Sequence, residues 1–123
     1  MQNDNEKFKK EFKDRLYRFV LRLIKFIGTL PKNAVTAVIT SQVLRSGTSI
    51  LANYIEARAS SSKKEFTNFF QHSLKSANET VVWLMLLRDT DNCDKNEVAY
   101  LLKELEEIAN MFASAVLRLK GKK

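Results

Sequence analysis

The sequence contains little glycine, proline and cysteine, and these shortages limit the folds open to it. Its 123 residues include three glycines and one proline, whereas all-β domains need frequent turns and use both residues in them. The shortage favours long, uninterrupted helices. The one cysteine, Cys93, cannot form a disulfide within the chain, and one cysteine with one histidine cannot complete a zinc site. We therefore predict no metal and no cofactor.

Long apolar runs and a targeting segment are also missing. The first twelve residues carry several charges where a signal peptide would have an apolar core. The longest fully apolar run covers residues 81–87, and a transmembrane helix needs about 20 such residues. The sequence therefore predicts a protein that stays in the cytoplasm and has no membrane partner.

The composition that remains is that of a basic globular protein. Apolar residues make up 45% of the chain and charged residues 28%, and the formal net charge is +7. This length suits one domain with one core, so we predict a single domain over residues 1–123. The charge favours polyanions through long-range attraction, although it serves solubility equally well.

Four segments repeat apolar side chains at helical spacing, and the predicted helices cover about residues 5–29, 34–58, 63–89 and 95–119. In the first helix the apolar stripe consists of Phe8, Phe12, Leu16, Phe19, Leu23, Phe26 and Leu30. Asn33 is a predicted N-cap, Ser62 with Glu65 forms a predicted capping box, and the fourth segment starts at Asp94, with Glu97 three residues on. Because the links are short, neighbouring helices must run antiparallel. The sequence predicts an all-α, up-down-up-down four-helix bundle.

The third helix carries more apolar surface than one bundle can bury. Residues 81–87 are apolar on every side of the helix, and such a helix is normally buried all round. We predict that Val82, Trp83 and Leu86 lie at the subunit interface of a homo-oligomer, where tryptophan is enriched. The alternative is that Trp83 is an ordinary aromatic residue at the edge of the core.

The second helix has unusually few charges, with only Arg45 and Glu56 between residues 34 and 57. Its polar residues fall on one stripe and face a similar stripe on the third helix. We predict an internal polar network, because buried polar groups must be paired. Arg45 is expected to pair with Glu79 or Glu56, and the members of the network are Gln42, Arg45, Ser49, Asn53, Glu56, Ser76 and Glu79. The alternative is that both stripes are the hydrated faces of their helices.

The same stripe resembles the second-helix signature of the 23S rRNA-intervening-sequence proteins, also called the four-helix bundle protein family. The matching positions are Leu30-Pro31-Lys32, Gln42-Val43-Leu44-Arg45-Ser46, Ser49-Ile50, Asn53, Glu56, Ser61, Lys64-Glu65-Phe66, Ser76 and Glu79. The resemblance extends over roughly residues 8–119. It departs at Ala57, where the family usually has glycine, so the end of the second helix is expected to differ.

The resemblance implies a bundle that assembles as a pentameric ring. Members of the family are encoded within insertions in ribosomal RNA genes. The chain is also similar to the accessory variability determinants of diversity-generating retroelements, which bind nucleic acid and a reverse transcriptase. The partners implied are further copies of the chain, RNA or DNA, and a nucleic-acid-processing protein.

Two hypotheses for function follow. The first is a non-enzymatic, homo-oligomeric accessory protein that binds RNA or DNA without sequence specificity through the basic face of the first helix, with Arg15, Arg18, Arg22 and Lys25 as binding residues. No recognition helix, RRM or zinc finger offers base readout. The second is a protein–protein scaffold that binds no nucleic acid. The alternative for the four basic residues is that they form an ordinary solvated helix face.

The sequence also argues against an enzyme. Three scattered glycines cannot form a loop that cradles phosphate. A di-metal bundle site needs Glu-x-x-His pairs from two helices, but His72 is the only histidine and lies seven residues from both Glu65 and Glu79. No catalytic residue is predicted.

Overall fold

The computed structural model describes residues 4–90 and 93–121. Four helices account for nearly all of this chain: α1 (Asp4–Ile27), α2 (Ala34–Ala59), α3 (Lys63–Asp89) and α4 (Lys95–Leu119). Each helix packs against the next in the chain, and α4 packs back against α1. The predicted all-α fold of four helices is therefore confirmed, and the packing order is that of an up-down-up-down bundle.

Asparagine, serine and aspartate side chains fix the starts of α2, α3 and α4. Asn33, Ser62 and Asp94 occupy the N-cap positions, and each side chain accepts a hydrogen bond from a backbone N–H of the first helical turn. Such caps contribute about 1 kcal/mol each. They were readable from the sequence because capping depends only on residues within one turn.

The link between α2 and α3 differs in detail from the prediction. The Ser62 hydroxyl accepts from the Glu65 N–H at 3.1 Å, but the Glu65 carboxylate accepts from the N–H of Ser61, also at 3.1 Å, rather than from Ser62. Helix α2 continues past Ala57 to Ala59 and ends in an extended Ser60. Ala57 is buried within the helix, so this position requires no glycine.

The core follows the bundle axis and is mainly aliphatic, with Phe19 and Phe26 as the buried rings of the remaining part of α1. Aromatic rings gather at the end where α1 and α3 begin and where α2 and α4 finish. There Phe112 makes edge contacts with Phe12 and Phe70 at centroid distances of 5.3 and 5.2 Å. Phe8, part of the predicted stripe of α1, stacks on Phe12 but stays 54% exposed. The stripe therefore runs past the core and reaches the open end of the bundle.

Helices α1 and α2 approach closely at Gly47. A Cβ atom at this position would lie 2.3 Å from Cδ2 of Leu23, a side chain that is fully buried. Glycine is thus needed here for the packing of two helices.

No helix within residues 4–90 or 93–121 is both long enough and apolar enough to cross a membrane.

Candidate nucleic-acid and subunit interfaces

The four basic residues predicted to bind nucleic acid divide into two pairs. Arg15 and Arg22 turn toward α4. The Arg15 guanidinium donates to both carboxylate oxygens of Glu104 at 2.7 and 2.8 Å, and to Glu107 at 2.8 Å. This two-pronged geometry is the strong form of an arginine–carboxylate pair. Arg15 therefore joins α1 to α4, and its charge is largely neutralised.

Arg22 makes a second connection to α4, two helical turns further along α1. It donates to both carboxylate oxygens of Glu97 at 2.7 and 3.0 Å. Its guanidinium carbon also lies 3.5 Å from the centre of the Tyr100 ring, an arrangement that favours a cation–π interaction. Like Arg15, Arg22 is held against the protein itself.

The hydrogen bonds from Arg15 hold the pKa of Glu104 below its usual range, against an opposing effect of burial. A carboxylate whose pKa is lowered by folding stabilises the protein above its unfolded pKa of about 4.3, and this stabilisation is lost as the pH falls through the lowered pKa. The pair should therefore contribute near neutral pH and vanish in acid.

We expect Arg15→Gln to lower the free energy of unfolding by about 1 kcal/mol at pH ~7, and to have almost no effect near pH ~2. Urea denaturation of both proteins across this range measures the difference. A loss that stays constant with pH would mean that Arg15 acts through packing and not through its charge.

Arg18 and Lys25 lie next to Arg15 and Arg22 on the same broad face of α1, on its outer side, and are exposed. Together with Lys10 they form the outer row of α1, which is interrupted by Asp14 and Leu21. The row spans about 22 Å at the helical rise of ~1.5 Å per residue. Lys10, Arg18 and Lys25 form no ion pair with another residue of the described chain.

The α2–α3 contact contains most of the predicted polar network, and one end of it is exposed. The guanidinium of Arg45 lies at this exposed end. It donates to Gln42 at 3.0 Å and forms an ion pair with Glu79, which in turn accepts from the Trp83 indole N–H at 3.0 Å. The side chains of Arg45 and Glu79 are 55% and 38% exposed. A pair this exposed in the single chain contributes about 0–1 kcal/mol.

The middle of the network is half-buried. Asn53 and Ser76 each hydrogen bond to the Ser49 hydroxyl at 2.9 Å, which ties α2 to α3. Glu56 is not part of this group: it lies on an exposed face of α2 and makes no hydrogen bond or ion pair with another described residue.

Sequence reasoning missed the buried part of the network. Thr80 donates to the Ser46 hydroxyl at 2.8 Å, and Ser73 donates to the backbone carbonyl of Ile50 at 3.0 Å. Ser46, Ser73 and Thr80 are all fully buried. The available signal was their spacing, because Ser73 and Thr80 fall on the same helical face as the predicted core residue Ala77.

The predicted interface residues form an apolar surface near the end of α3. Val82 and Leu86 are 54% and 42% exposed, and Trp83 is half-buried beside Glu79. The contact between Ser46 and Thr80 sets an antiparallel register that brings the exposed Val38 of α2 toward this end of α3. We call Val38, Val82, Trp83 and Leu86 the α3 patch.

A second apolar surface, which no sequence pattern indicated, runs along α1 and α2. It comprises the exposed residues Tyr17, Leu21, Ile24, Leu44 and Ile55, and we call it the α1–α2 patch. The approach of Leu23 to Gly47 places these stretches of the two helices side by side. Single exposed apolar residues are ordinary, but grouped ones mark interaction surfaces.

The residues considered for metal chemistry do not assemble into a site. His72 lies on an exposed face of α3. In residues 4–90 and 93–121, no cluster of three or more histidine, cysteine, aspartate or glutamate side chains could hold a metal ion.

Comparisons with known proteins agree with this architecture. The family described as 23S rRNA-intervening sequence protein matches residues 9–114. A similar crystal structure is that of a protein of unknown function from the S23 ribosomal protein family of Bacteroides thetaiotaomicron VPI-5482. It is 34% identical in sequence, superposes with a TM-score of 0.77, and the match covers 85% of this chain and 97% of that one. No curated protein matches the chain significantly.

The family match covers most of the described bundle, including the whole of α2 and α3 and the polar contacts between them. The resemblance noted from the residues of α2 is therefore confirmed. The chain belongs to the 23S rRNA-intervening sequence protein family.

Proposed function

We propose that this protein is a non-enzymatic, homo-oligomeric accessory factor that binds RNA or DNA without sequence specificity. The observation that carries the proposal is the outer row of α1, where Lys10, Arg18 and Lys25 stay exposed while the glutamates of α4 are drawn to Arg15 and Arg22. The structural relative comes from a ribosomal protein family, which fits an RNA partner.

The outer row suits the phosphate backbone better than the bases. Its cations are spread along one helix, and flexible lysine and arginine side chains contact phosphates as positive charges without reading sequence. Binding of this kind releases counterions, so its affinity falls steeply as salt rises. Arg15 and Arg22 contribute little in this proposal, since contacting phosphate would require them to leave Glu104 and Glu97.

Oligomerisation would multiply the row. The α3 patch and the α1–α2 patch lie on different parts of the protomer, and a contact between two different surfaces builds rings when the rotation closes. Each added copy would contribute another outer row to a shared basic surface. The family resemblance supplies five as the expected number of copies.

Reversing the charge of the outer row tests the proposal. We expect Lys10→Glu/Arg18→Glu/Lys25→Glu to weaken binding of a single-stranded RNA by at least about tenfold at low salt, and to flatten the salt dependence of the affinity. Fluorescence anisotropy across a salt series measures both. A matched control, Lys32→Glu/Lys75→Glu/Lys103→Glu, changes the net charge equally with exposed lysines outside the row. Equal losses of RNA affinity in both variants would show that only the net charge matters and that the outer row is not the binding surface.

A protein–protein scaffold is the second candidate. The ion pairs of Arg15 and Arg22 favour it, because they occupy two of the four residues predicted to bind nucleic acid. The two apolar patches favour it as well. A stable oligomer with no affinity for RNA or DNA at low salt would select the scaffold over the nucleic-acid-binding protein.

A further inference from the structure

The aromatic end of the bundle contains a cavity of about 600 Å³. Its lining is mainly apolar, and five phenylalanines contribute to it: Phe8, Phe12, Phe66, Phe70 and Phe112. Pockets of roughly 300–1,000 Å³ with apolar walls and few polar groups are typical of small-molecule sites. The half-exposed ring of Phe8 is explained if it serves as one wall of such a site.

Cations surround this apolar interior. Lys9, Arg58, Lys63 and Arg118 all line the cavity, and no aspartate or glutamate does. Lys9 lies 3.9 Å from Glu6, whereas Arg58, Lys63 and Arg118 form no ion pair with a described residue. The four cations belong to four different helices. A cavity with one charge sign at its edge and hydrocarbon inside favours a ligand that has an anionic head and an apolar body.

Tyr54 provides a polar group at the boundary between these two regions. Its ring is 3% exposed and packs edge-on against Phe12 at 5.2 Å. Its hydroxyl has only long hydrogen bonds, 3.4 Å to the Lys9 carbonyl and 3.5 Å from Arg58, beyond the usual range of ~2.5–3.2 Å. The hydroxyl can therefore donate to a new acceptor near Arg58, because it gives up only a long, weak hydrogen bond to the Lys9 carbonyl.

We propose that this cavity binds an alkyl carboxylate of medium chain length. The hydrocarbon chain lies among the phenylalanine rings, and the carboxylate lies at the cationic edge, where it accepts from Arg58 and the Tyr54 hydroxyl. A nucleotide fits less well, because the five phenylalanine rings form an apolar interior that suits a hydrocarbon chain better than a sugar and the polar edges of a base. The site shares no residue with the outer row of α1, so it stands or falls independently of nucleic-acid binding.

Isothermal titration calorimetry with decanoate, below its micellar concentration, tests the site in the full chain. We expect saturable binding of decanoate, and about tenfold weaker binding of decanol and of adenosine monophosphate. Arg58→Gln/Arg118→Gln removes the proposed carboxylate partner and a second cation of the cavity edge, and should weaken decanoate binding by about tenfold. Lys32→Gln/Lys103→Gln removes the same charge from positions outside the cavity and should leave the affinity unchanged.

A variant whose cavity is filled by a larger side chain provides a second comparison with the wild type. Ala115 lines the wall beside Phe112 and is half-buried, so Ala115→Phe should abolish decanoate binding while thermal melting shows a folded protein. Three results would overturn the proposal: no decanoate binding to the wild type, equal binding of decanoate and decanol, or equal binding to the wild type and a folded Ala115→Phe variant. Preferential binding of adenosine monophosphate would replace it with a nucleotide site.

Discussion

Phe112→Ala is expected to lower the free energy of unfolding by about 3–5 kcal/mol, the usual cost of truncating a buried phenylalanine. Phe112 is fully buried and is among the largest buried side chains in the protein. It contacts Phe12, Tyr54 and Phe70, which lie on the other three helices. Removing the ring therefore weakens the packing of all four helices at once.

Edge contacts between aromatic rings add about 0.5–1.5 kcal/mol each to the effect of burial. The loss for Phe112→Ala is therefore expected near the upper end of about 3–5 kcal/mol. Equilibrium urea denaturation measures the change. Leu117→Ala is the control, since Leu117 lies on the same helix with 44% of its surface exposed, and it should cost less than about 1 kcal/mol. A similarly small loss for Phe112→Ala would show that the aromatic end collapses around the missing ring.

The helices and their caps were predictable because their signals are local. Asn33, Ser62 and Asp94 each act on a backbone N–H within one turn, and the apolar stripes follow the helical period. Ala57 was also informative, since α2 continues past the position where the family has glycine.

The contacts between helices were harder to predict, because they depend on register. Arg15 and Arg22 were assigned to a nucleic-acid surface, yet both pair with α4. A signal was present: Arg15 and Arg22 are seven residues apart, as are Glu97 and Glu104. In antiparallel helices this matched spacing aligns both pairs at once, but only knowledge that α1 and α4 are neighbours makes it meaningful.

The end cavity had no signal in the sequence. The periodicity placed Phe8 with the core residues, and nothing local shows that a helix extends beyond the packed interior. The cationic edge likewise needs four residues from four helices to meet at one end. Such a site depends on where each helix ends relative to the others, which hydrophobic patterns do not encode.

Leu86→Glu is expected to dissociate the proposed oligomer at micromolar concentration. Leu86 lies in the α3 patch, and a carboxylate placed in an apolar subunit contact loses hydration without gaining a partner. Native mass spectrometry should show the wild type as a multiple of the 14.2 kDa chain and the variant as a single chain. Leu117→Glu is closely matched, because Leu117 and Leu86 are 44% and 42% exposed, and it should keep the wild-type mass.

A monomeric wild-type protein, or equal effects of Leu86→Glu and Leu117→Glu, would show that the α3 patch is not in the interface.

Mixing two variants reveals which surfaces contact each other. Leu21→Glu blocks the α1–α2 patch and leaves the α3 patch intact, whereas Leu86→Glu does the reverse. If these two patches contact each other around a ring, each variant alone is a single chain, but the mixture restores one good contact and forms a dimer. If each patch instead contacts its own copy, the variants form dimers alone and mixing adds nothing, so the masses before and after mixing distinguish a ring from a symmetric pair.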